Sequence, residues 1–81
     1  MNVRIRLFAS FREAVGSNKL DWTAPDPSTV GEVVAALRTA HPKLGPALDR
    51  AMLADNQEYV GPELQLHDGD ELALIPPVSG G

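Results

Sequence analysis

The sequence predicts an α+β domain in which one main helix covers a mixed sheet of four to five strands, with an extended tail protruding past residue 75. Three observations predict it. Short apolar–polar alternations recur in both halves of the chain. One stretch alone carries apolar residues at helical spacing behind a capping signal. No repeat, linker or low-complexity tract divides the 81 residues, which suit a single domain. A chain of this size buries roughly 60% of its unfolded surface, enough for one core but not for a deep internal active-site cavity.

The elements follow in order. In "NVRIRLF", Val3, Ile5 and Leu7 alternate with Arg4, Arg6 and Phe8, the pattern of a half-buried strand with Phe8 beside arginines on its open side. "SFREAVG" reads as a short helical turn, with Ser10 as its cap and Gly16 as its end. "NKLDWT" is a second strand, with Leu20 and Trp22 on one side; the short connection makes it an antiparallel neighbour of the first. After the turn "APDPS", "TVGEVVAALRTAH" is the main helix. Thr29 and Glu32 form a capping box, Val30, Val33, Val34 and Leu37 line one face, and Pro42 stops it. "KLGPALDRA" reads as a single turn at most. "MLADNQEYV" is strand, turn, strand, pivoting at Asn56–Gln57, "HDGD" is a tight turn, and "ELALI" is a last strand with Leu72 and Leu74 inward. The first and last strands are expected side by side at the sheet centre. Phe8 and Ile75 then share the face that the helix leaves bare, either as a partner surface or as tolerated exposure.

Composition narrows the function classes. Net charge is −4 and the seven basic residues are scattered, so no basic stripe marks a nucleic-acid footprint. Without cysteine there is no disulfide, thiolate metal site or cysteine nucleophile. No stretch approaches the ~20 apolar residues of a membrane span, and the N-terminus has no signal-peptide pattern, so a cytoplasmic location is expected. Candidate catalytic groups are few. His41 beside Pro42 and His67 in a turn read as solvated or capping residues. Asp70 and Glu71 fall on opposite faces of a strand, which does not suit shared acid–base work, and "DGD" lacks the distal ligand of a calcium loop. No metal site and no phosphate loop are expected.

The tail "PPVSGG" carries the strongest functional signal. Pro76 and Pro77 cannot donate to a ladder and direct the following chain into an extended rod that can reach up to ~20 Å. Gly80 and Gly81 add almost bare backbone, slender enough for a channel that any Cβ would block. A terminal carboxylate, with a pKa near ~3.5, is ionised at neutral pH and a poor electrophile. It needs activation by another enzyme, by adenylation with ATP, after which a sulfur nucleophile would give a thiocarboxylate. The domain itself supplies no catalytic group. Residues 1–75 are thus expected to form the domain and 76–81 the reactive tail.

These features together resemble a known family. "LFASFREAVG", "NQEYV" and above all "DGDELALIPPVSGG" are similar to the small, sulfur-carrying subunits of molybdopterin synthase, within the ubiquitin-like sulfur carriers (MoaD/ThiS) of β-grasp fold. The resemblance covers essentially the whole chain and is weakest between Lys43 and Arg50. It implies a non-catalytic partner subunit, with the catalytic residues on a large subunit in a heterotetramer. An E1-like enzyme adenylates Gly81 with ATP, sulfur converts it to a thiocarboxylate, and the tail residues Pro77, Val78, Ser79 and Gly80 insert into the large subunit. There the sulfur passes to cyclic pyranopterin monophosphate, and two such donations build the dithiolene of molybdopterin. No cofactor is bound apart from the covalent sulfur. Phe8, Tyr59 and Ile75 match apolar positions that the family uses against the large subunit, and Arg12 matches an arginine implied to dock the activating enzyme. Three alternatives remain: a carrier for thiamine or cysteine synthesis, a ubiquitin-like protein modifier, and an interaction domain with an incidental tail.

Overall fold

The computed structural model describes residues 1–77. Five strands form one mixed sheet: β1 (Asn2–Leu7), β2 (Lys19–Thr23), β3 (Met52–Asp55), β4 (Glu58–Tyr59) and β5 (Glu71–Ile75), in the order β2-β1-β5-β3-β4. As expected, the first and last strands lie together at the centre. They run parallel, with Ile5 opposite Leu72 and Leu7 opposite Leu74. β2 is antiparallel to β1, and β3 is antiparallel to both β5 and β4.

Strand parity sorts the side chains. Val3, Ile5, Leu7, Leu72 and Leu74 face the main helix, α2 (Val30–Ala40), and meet its Val30, Val33, Val34 and Leu37 in one core. Each such fully buried aliphatic side chain contributes on the order of 1.5–3 kcal/mol. The capping box is formed: Glu32 N donates to Thr29 Oγ1, and Thr29 N donates to Glu32 Oε1. The sequence before β3 departs from expectation. It makes two 3₁₀ turns, Pro42–Leu44 and Pro46–Arg50, and these place Leu44 and Leu48 in the core. Two buried leucines, each on a turn opened by proline, close the end of the core that a single helix leaves bare.

The short helix α1 (Ala9–Val15) also corrects one expectation. Ser10 is not its cap. Phe8 holds the N-cap position with no side-chain hydrogen bond, and Ser10 falls inside the first turn. Ala9 sits at φ 49°, so the chain turns sharply as it leaves β1 and the helix starts one residue too early for Ser10 to reach an orphan amide. Gly16 ends α1 as expected, at φ 86°, its N–H donating to the Arg12 carbonyl. Asn56 and Gln57 both take positive φ at the β3–β4 turn, as a two-residue hairpin needs. Among the described residues no helix is long and apolar enough to cross a membrane.

Candidate functional site

The sheet face away from α2 is uncovered, and three of the expected partner residues, Phe8, Tyr59 and Ile75, meet on it. Arg6 follows Arg4 by one alternation on β1, and Phe8 comes next, just past the strand end. Across the sheet, Arg6 lies opposite Ala73, Ala73 opposite Ala54, Ala54 opposite Tyr59, and Ile75 opposite Met52. The result is a hollow of about 220 Å³ walled by Phe8, Tyr59 and Ile75, floored by Ala54 and Ala73, with Arg6 on one side. Tyr59 is 71% exposed and Phe8 38%, large values for aromatic side chains on one face of a small domain. Met52, also exposed, extends the apolar strip along the register of Ile75.

The charged side of the hollow is arranged around Arg6. Its guanidinium carbon stands 5.3 Å from the centroid of the Phe8 ring, a cation–π contact that holds the ring in place. Its Nη1 is 3.7 Å from Glu71 Oε1, an ion pair too long for a hydrogen bond. Arg12 is not part of this face. It is exposed on α1 and does not line the hollow. Pro77 lies two residues past β5, half-buried and at the root of the tail. Val78, Ser79, Gly80 and Gly81 lie outside the described residues.

A second polar cluster, not anticipated from the sequence, sits at the opposite end of β5. Asp70 is buried; its Oδ1 accepts from Asn56 Nδ2 and its Oδ2 from the His67 amide, each at 3.0 Å. Burial alone would raise its pKa, but these hydrogen bonds outweigh it and lower the Asp70 carboxyl below the usual range. Asp55 approaches the same carboxylate. Burial, then the charge of Asp70, push the Asp55 carboxyl up to about 6. Asn56 Oδ1 accepts from the Glu71 amide, so the cluster ties the β3–β4 hairpin to the start of β5. Glu71 lines the hollow while Asp70 turns away into this cluster. The pairing of Asp55 with Asp70 had no signal in the sequence beyond the tight turns that bring them together.

Residues 5–81 match the ThiS family. The chain belongs to that family. It is 39% identical to the molybdopterin synthase sulfur carrier subunit of Chlamydomonas reinhardtii, along the whole of both chains. It is 34% identical to small archaeal modifier protein 3 of Haloferax volcanii, again along the whole of both. Its fold matches a chain in the protein–protein complex of subunits 1 and 2 of molybdopterin-converting factor from Helicobacter pylori, with a TM-score of 0.72, 27% identity and full coverage of both chains. The architecture is the ubiquitin-like β-grasp, as the sequence resemblance implied, with a second short helix added between the first two strands.

Proposed function

We propose that this ThiS-family chain is a sulfur carrier of the molybdopterin synthase type, working in the cytoplasm as the non-catalytic partner of a large subunit. The observation that carries the reading is the apolar hollow of Phe8, Tyr59 and Ile75 at the root of Pro76–Pro77, in a chain whose family match runs through Gly81. A docking face beside the exit of a slender tail suits a handle that delivers its tip into another protein's site.

The chemistry is carried by Gly81. Its carboxylate oxygen attacks the α-phosphate of ATP on an E1-like enzyme, and pyrophosphate leaves. Hydrosulfide then attacks the acyl carbon of the adenylate, AMP leaves, and loss of the S–H proton gives a thiocarboxylate. Docked on the large subunit, the thiocarboxylate sulfur bonds to a carbon of cyclic pyranopterin monophosphate and displaces an oxygen there. Water then hydrolyses the acyl–sulfur bond, which leaves the sulfur on the pterin and returns Gly81 as a carboxylate, and a second loaded copy repeats the transfer. The large subunit supplies the acid–base groups, and ATP is consumed only in the activating enzyme.

The test is intact mass spectrometry of the chain after incubation with an activating enzyme, ATP and a sulfur donor. The expected result is one oxygen-to-sulfur exchange at Gly81, abolished by deleting Gly81. An unchanged mass under conditions that load a known carrier rejects the proposal. The likeness to a small archaeal modifier favours a second reading, in which the same adenylated Gly81 is passed to lysines of other proteins. Conjugate ladders dependent on Gly81 in cell extracts distinguish it.

A further inference from the structure

We infer that the hollow on the uncovered sheet face is a socket for one bulky apolar side chain of the partner, flanked on that partner by a carboxylate that reaches Arg6. This rests on the reading of the chain as a docking subunit and specifies the chemistry of what docks.

Three observations carry it. The floor is made of two alanines, Ala54 and Ala73, which face each other in register, while the walls are large. Ala54 is only 6% exposed although it faces away from α2 and is no part of the core. Small residues beneath large ones make a recess, and about 220 Å³ takes one side chain of the size of leucine, methionine or phenylalanine, not a helix. The second observation is Arg6 itself. Its side chain lines the hollow and stays 37% exposed, and its Nη1 lies 3.7 Å from Glu71 Oε1, too far for a hydrogen bond. An incoming carboxylate would satisfy the guanidinium from the open side without disturbing its stack on Phe8. The third is local charge. The face presents Arg4, Arg6 and Lys19 against Asp21 and Glu71, a positive excess on a chain whose net charge is −4. An acidic partner segment is attracted to this face and repelled by most of the rest.

The experiment measures binding of the chain to the purified large synthase subunit by calorimetry, alongside Gly81 loading of the same preparations. Ala73→Leu fills the socket from its floor and is expected to weaken binding at least tenfold. Arg6→Gln is expected to weaken it fivefold or more and to flatten its salt dependence, and Arg6→Lys to recover part of the loss. Each variant is first shown to melt within a few degrees of the parent; Arg6→Gln keeps the test open should Ala73→Leu fail to fold. If the parent is loaded and binds while Ala73→Leu and Arg6→Gln bind within twofold of it, the socket is overturned and the carrier reading stands. If the parent neither gains sulfur nor binds, both are overturned.

Discussion

Asp55, at the end of β3, and Asp70, in the turn before β5, bring their carboxyl groups together, and the pair holds a proton more readily than either residue would alone. The Asn56–Gln57 turn follows Asp55 and joins β3 to β4, so this small polar knot anchors to the start of β5 the hairpin that carries Tyr59 to the hollow.

The pair makes stability depend on pH. Asp55 loses its proton near 3.8 when unfolded and only near 6 when folded. The folded state therefore binds more protons in that window, and stability falls as pH rises through it. Asp55→Asn removes the ionisation and can still donate to Asp70. With the shift discounted for solvent screening, the gain is about 1 kcal/mol above pH 7, or ~4 °C in Tm. Thermal melts at pH 7.5 and pH 4 check this. If the Asp55→Asn variant melts no higher than its parent at pH 7.5, the explanation is removed.

The capping box gives a prediction independent of pH near neutrality. Thr29→Ala leaves the Glu32 amide at the start of α2 without its acceptor. The cost is expected near ~1 kcal/mol, with an unchanged urea m-value because the same surface is exposed on unfolding. A loss below a few tenths of a kcal/mol shows that α2 is held by its packing alone.

Tyr59 separates folding from docking. It stands at the edge of the sheet, 71% exposed, and touches no part of the core. Tyr59→Ala is expected to change stability by no more than about 0.5 kcal/mol and yet to weaken association with the large subunit more than tenfold. Denaturation and binding measured on one preparation decide the matter, and equal binding by both chains counts against a docking role for this face.

Much of this was legible in the chain itself, for a physical reason that differs from element to element. The alternation of Val3, Ile5 and Leu7 with Arg4, Arg6 and Phe8 fixes which side of β1 is wet, because side chains of a strand alternate whatever its neighbours are. Thr29 and Glu32 announce the start of α2, and Gly16 the end of α1, because capping is settled between residues three or four positions apart. Ser10 misled, because the cap depends on where the backbone turns, and that turn at Ala9 leaves no local mark. The 3₁₀ turns around Leu44 and Leu48 have too short a period to be read, and they form where the core needs closing.

By itself, then, the sequence determined the elements, the inward and outward faces of each strand, and the tail motif that points to carrier chemistry, all of them matters of local spacing. The place of β5 beside β1 at the sheet centre was expected too; the tertiary structure alone decided that β3 would flank β5 on its other side, with β4 beyond. That strand order sets Ala73 between Arg6 and Ala54, with Tyr59 beyond, so that a recess opens, and it presses Asp55 against Asp70. These residues are distant along the chain, and only the burial of Leu72 and Leu74 at the sheet centre brings them within reach of one another.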